Sequence, residues 1–118
     1  MTKEDAAKLV EQFVETIIKQ EEAIFAGDVK AAKYYGNRYT PIAKKIMGMG
    51  EEARDQFASL LEHPCRLIRV AAAVYLYSSR PEQTLAAMRE VAKGDDFAAF
   101  CAQRRIKEWE KRSEQSEQ

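Results

Sequence analysis

Histidine occurs once in this sequence, at His63, and cysteine twice, at Cys65 and Cys101. A single imidazole excludes a multi-histidine metal centre. The two cysteines lie far apart in the chain and make neither a Cys-x-x-Cys pair nor a metal-ligand spacing, so both are expected as free, buried thiols. A Gly-rich phosphate loop and a Gly-x-Ser-x-Gly elbow are also absent. The acidic pairs Glu11 and Glu15, Glu21 and Glu22, and Glu51 and Glu52 have the spacing of solvated helix surface. A hydrolytic site built from carboxylates alone stays open, but the reading favoured is a non-enzyme that needs no cofactor and no metal. No run of eighteen apolar residues exists, and Met1-Thr2-Lys3-Glu4-Asp5 lacks the basic start and apolar centre of a secretory signal. These absences predict a soluble, cytoplasmic chain.

Glycine and proline are also scarce, at five and three residues, while 46% of the chain is hydrophobic and 32% charged. That balance suits helices joined by short turns, and 118 residues suit one small domain. Helical periodicity then marks six segments. Thr2 is a candidate cap for a long first helix on Ala6, Val10, Phe13, Ile17 and Ile24, with a second stripe of Leu9, Val14, Ile18 and Phe25, ending at Gly27-Asp28. Asp28 caps a second helix on Ala32, Tyr35, Tyr39, Ile42, Ile46 and Met49. This stripe runs through Pro41, so the helix is expected to kink there, with a break near Gly36 to Thr40 as the alternative. A third helix spans about Glu51 to Glu62, and a fourth has Pro64 in its opening turn and runs to about Ser79. Pro81 opens the fifth, with Leu85, Met88, Val91 and Ala92 inward; the sixth starts at Asp95 or Asp96 on Ala98, Ala102, Ile106 and Trp109. Residues 113–118 are expected to fray as a polar tail beyond a domain of 1–112.

A shift of 31 residues places Phe57 on Met88, Leu60 on Val91, Leu61 on Ala92, Leu67 on Ala98, Val70 on Cys101, Ala71 on Ala102 and Tyr75 on Ile106, with the turn residue Pro64 on Asp95. Two helices per unit at this period indicate an all-α chain built as a short right-handed α-solenoid of about six helices. The zero net charge conceals alternation: residues 1–26 carry six acids and three bases, 27–50 one acid and five bases, 51–63 a net −3 and 64–80 a net +3. No broad basic face results, so general nucleic-acid binding is not expected.

His63-Pro64, Ile68-Arg69, Ala71-Ala72-Ala73 and Leu76, with Pro81-Glu82 and Leu85, resemble the HEAT repeat. More narrowly, Gly27-Asp28, Gly50-Glu51-Glu52, Leu60 to Pro64 and Lys107-Glu108-Trp109 are similar, in order and spacing, to a small bacterial family of unknown function. Its members are often encoded beside toxins. In place of the aspartate that commonly precedes the arginine of a HEAT turn, this chain has His63 and Cys65 near Arg69.

The resemblance implies an immunity protein that neutralises a cognate bacterial toxin by covering its active site or substrate path. A HEAT-like scaffold binding a host protein or peptide is the alternative. Nucleic-acid binding through Lys30, Lys33, Arg38, Lys44 and Lys45 ranks third. In HEAT units the second helix of each pair lines the concave side. The partner-binding candidates are therefore Tyr34 and Arg38, an acidic rim of Glu21, Glu22 and Asp28, and Gln103, Arg104 and Lys107 on the last helix. The apolar Leu9, Val14, Ile18 and Phe25 stripe makes a homodimer contact possible.

Overall fold

The computed structural model describes residues 3–116, and the side chains of 4–113. Among them the chain is all-helical: α1 (Lys3–Ala26), α2 (Val29–Met47), α3 (Glu51–Ala58), a 3-10 turn (Ser59–Glu62), α4 (Arg66–Leu76), α5 (Pro81–Ala92) and α6 (Phe97–Ser116). The chain divides into two compact units, 1–60 and 61–118.

In the first unit, α1 and α2 form a hairpin joined by the two residues Gly27 and Asp28. Gly27 takes φ +74°, a left-handed conformation open to glycine at little cost. It donates its N–H to the Ile24 carbonyl at 3.1 Å while Asp28 donates to Ala23 at 2.9 Å, the paired bonds of a Schellman stop. The Asp28 carboxylate then accepts from the Ala31 N–H at 3.0 Å and starts α2, as expected of a cap. Thr2, the proposed cap of α1, lies outside the described residues.

α2 runs unbroken through Pro41. The lost hydrogen bond is tolerable because Pro41 and Asn37 are both exposed, so the Asn37 carbonyl can turn to solvent. A Cβ at Gly36 would stand 2.7 Å from the Gln20 Nε2, the movable end of a flexible side chain. Phe13, Ile17, Ile46 and Phe57 fill the centre of this unit. Phe13 meets Phe57 edge-on at 4.9 Å and Tyr39 at 6.0 Å between centroids. Arg54 of α3 donates to the Met47 carbonyl at 2.7 Å, satisfying an end of α2. The second stripe of α1 is less buried than its pattern predicts. Leu9 and Val14 are half-buried, whereas Ile18 and Phe25 are exposed, because α3 covers only part of that side.

The second unit assembles around α4, which touches both α5 and α6 and buries Ile68, Val70, Ala72, Ala73 and Leu76. Pro64 does not open α4: the helix begins at Arg66 with Cys65 as N-cap, leaving Pro64 in the turn before it. His63 fixes that turn, its Nδ1 accepting the Cys65 N–H at 3.0 Å and its carbonyl accepting from Arg69 Nε. Arg69 is thereby anchored to the backbone of the turn before its own helix.

Pro81 opens α5 as expected, and Asp96 caps α6 by accepting from Ala99 N–H at 2.9 Å. Arg66 ties three helix ends together: it pairs with Asp96 at 2.9 Å and donates to the Val91 carbonyl, the last turn of α5. Trp109 is buried and stacks on Tyr77 at 3.9 Å, with 7° between planes. α6 continues to Ser116, so the tail expected to fray from 113 is helical that far, and Glu117 and Gln118 lie outside the described residues.

The helix starts reproduce the 31-residue register, α4 at Arg66 and α6 at Phe97. N-cap Cys65 likewise falls on N-cap Asp96.

Candidate protein-binding surface

The outward face of α2 follows from its buried one. Ala43 and Ile46 are buried and Tyr35 and Tyr39 half-buried, which turns Lys30, Lys33, Tyr34, Asn37, Arg38, Pro41, Lys44 and Lys45 to solvent. Tyr34 is 55% exposed. Arg38, one turn on, lays its guanidinium over the Tyr34 ring at 5.2 Å, and Tyr35 meets the same ring in a T-shaped contact at 5.1 Å. The two residues chosen from the sequence therefore stand in contact one turn apart, an aromatic body beside a charge.

The acidic rim is less unified. Glu22 is exposed and Glu21 half-buried, while the Asp28 carboxylate is already engaged as the cap of α2. Near it, Phe25 is 71% and Val29 78% exposed, two apolar residues bracketing the turn that the partner-binding choice omitted. Their signal was readable only with hindsight of the turn, since the helical spacing of Phe25 matches that of a buried residue.

In the second unit, Gln103, Arg104 and Lys107 are all exposed on α6. Gln103 donates to the Ala92 carbonyl at 2.8 Å, so it closes the end of α5. Arg104 lies over Phe100 at 6.0 Å, and Phe100 is 55% exposed. Phe100-Arg104 thus repeats the aromatic-to-arginine step of Tyr34-Arg38. Phe100 was missed, although the shared i, i+4 spacing was available.

An open groove lies in each unit. In the first, about 470 Å³ lies among Ala7, Val10, Glu52, Asp55, Gln56 and Ser59. In the second, about 440 Å³ lies between Leu61, Glu62 and Arg69 on one side and Gln83, Ala87 and Glu90 on the other. Neither is lined by a cysteine or histidine, and among the described residues no group of three or more His, Cys, Asp or Glu is placed to hold a metal ion.

Perturbed acidities follow local pairing. Hydrogen bonds from Arg66, then from the Ala99 N–H, hold the Asp96 carboxyl below the usual carboxylate range. The Lys93 hydrogen bond, then its charge, does the same for Glu90. Burial raises the Cys101 thiol against the opposing charges of Arg104 and Arg105. Both cysteines are free and half-buried. No described helix is long and apolar enough to cross a membrane.

No family model and no curated protein matches the chain. Among solved structures it is similar to the crystal structure of the protein RPA1889 from Rhodopseudomonas palustris, with a TM-score of 0.82 at 20% identity, covering 94% of this chain and 90% of that one. At that identity the likeness shows a shared helical fold.

Proposed function

We propose that this chain is a protein-binding helical module whose contact surface centres on Tyr34 and Arg38 of α2. The observation that carries the reading is the exposed tyrosine held under its own arginine, with one ring edge against Tyr35. Aromatic and arginine side chains dominate the energetics of protein interfaces, and a side chain already fixed in place loses little entropy on binding. The module works by occlusion, with its helical hairpins stacked as HEAT-like units of a short right-handed solenoid. The resemblance of its turns to a toxin-associated bacterial family makes the partner a toxin and the protein its cytoplasmic immunity factor.

Co-expression tests this directly. A toxin encoded beside this chain is expressed in bacteria with the wild-type chain or with Tyr34→Ala/Arg38→Ala, and survival is scored. Wild-type protection and its loss in a folded double variant are expected. Failure of the wild type to protect against any neighbouring toxin removes the immunity role. Protection undiminished in the variant removes this surface.

A further inference from the structure

Every charged residue between Val29 and Met47 is basic: Lys30, Lys33, Arg38, Lys44 and Lys45. All five are exposed, and none forms an ion pair with a carboxylate among the described residues, whereas Arg54, Arg66, Lys93 and Arg105 each do. At 3.6 residues per turn the five fall within an arc of about 140° and along roughly 22 Å of helix. Lys33 and Lys44 line one side of that arc, and Arg38 and Lys45 the other. Between them run Lys30, at the N-terminal end of the strip, and the uncharged Tyr34, Asn37 and Pro41. Lys30 and Lys33, one turn apart, repel each other, and the other three cations add to the same positive field, so this face gains from an anionic cover.

We propose that the cover is an acidic amphipathic helix of a partner protein, lying along α2 with carboxylates over both cationic rows and its apolar strip on Tyr34 and Pro41. The proposal rests on the protein-binding reading above and gives that partner its chemistry. The match is one of width as well as charge. A stripe one helix wide and about four turns long, uncharged along its centre from Tyr34 to Pro41 and cationic at its margins, is complementary to another helix of the opposite pattern. A polynucleotide fits less well. α1, packed beside α2 in the same unit, exposes Glu4, Glu11, Glu15 and Glu22, and residues 1–60 hold nine bases against ten acids, so a polyanion broader than the stripe meets repulsion. The Tyr34 ring also already carries Arg38 and contacts Tyr35, which leaves a poor platform for a stacked base.

The test uses the full chain and a fluorescein-labelled peptide of about 19 residues, with leucine and alanine at helical spacing and glutamate on both margins. Its comparison is a peptide of the same composition in scrambled order, and a single-stranded oligonucleotide of about 20 nucleotides. Fluorescence anisotropy is read at low and moderate salt. The amphipathic peptide is expected to bind at least about tenfold more tightly than either competitor. Lys33→Glu/Lys44→Glu is expected to weaken it by a further factor of about ten or more, with unchanged helicity by circular dichroism. Equal binding of the scrambled peptide, or tighter binding of the oligonucleotide, overturns the proposal. So does a dimer in sedimentation velocity that the same double variant dissolves, because a second copy is then the occupant. Protection from a toxin that survives while the peptide fails to bind removes the acidic helix and leaves the protein-binding reading standing.

Discussion

Replacing Thr84 by valine should stabilise the second unit, and the structure fixes the sign. Thr84 is fully buried on the inner face of α5 with Met88 and Val91, at one helical stripe of positions i, i+4 and i+7. Its Oγ1 has no hydrogen-bond partner among the described residues. The backbone is satisfied independently, since Thr84 N–H donates to the Arg80 carbonyl at 3.0 Å. A buried hydroxyl left without a partner costs about 1–3 kcal/mol. Valine keeps the branched shape and a similar helix propensity while exchanging that hydroxyl for a methyl group. A gain of about 1–2 kcal/mol is therefore expected, or roughly 8–16 °C in melting temperature for a unit of this size. Thr84→Ser is the opposing control: it retains the hydroxyl and removes a methyl, so it should lose about 1 kcal/mol. The only tryptophan, Trp109, lies in this unit, buried and stacked on Tyr77, so its fluorescence during urea titration reports the relevant transition. A valine variant no more stable than wild type refutes the reasoning, and a serine variant matching the valine one does so again. The 31-residue register agrees with the direction, because Thr84 falls on Ala53, which is buried and apolar.

Acid should weaken the same unit through Asp96. Its folded-state acidity is stronger than that of the unfolded chain, so its contribution is complete above an ordinary aspartate pKa of about 3.9 and is lost as pH falls through the lower folded value. Asp96→Asn should flatten that acid limb in pH-dependent urea midpoints; an unchanged limb contradicts the assignment. Gly50 has φ +115° and open space around a notional Cβ, so Gly50→Ala should cost about 1–2 kcal/mol from backbone strain alone. Gly48→Ala, at φ −84°, should be nearly neutral, and equal thermal melts for the two variants would refute this. Burial raises the Cys101 thiol, so in a Cys65→Ser background its reaction with a disulfide reagent near pH 8 should be slower than that of a free cysteine. A rate equal to the free thiol's would show the site to be open.

Most helices were legible because their punctuation is local. Gly27-Asp28 combines a residue free to take positive φ with a carboxylate able to cap, and Pro81 supplies a first turn that needs no N–H. The errors fell where a neighbour decides. Pro64 was placed inside α4, but the His63 ring claims the Cys65 N–H and sets the helix start one turn element later. Phe25 and Ile18 have the spacing of buried residues and are exposed, because periodicity names a face without naming what covers it. Of the candidate surface, Tyr34 and Arg38 were readable from their spacing. The engagement of Asp28 and Gln103 in closing helix ends was not, since a polar side chain gives no sign in sequence of whether a backbone group already claims it.

The amino-acid sequence by itself determined an all-helical chain, its capped and proline-opened helix starts, the 31-residue register and a second helix bearing cations without acids. These depend on contacts within a few turns, which intrinsic propensity and periodicity control. Only the tertiary structure decided that the chain forms two compact units, that α2 survives Pro41, and that its cations have no carboxylate partner among the described residues while Arg38 lies over Tyr34. Those outcomes depend on which side chains meet across helices, and the outward basic face of α2 exists because α1 and α3 take the inward one.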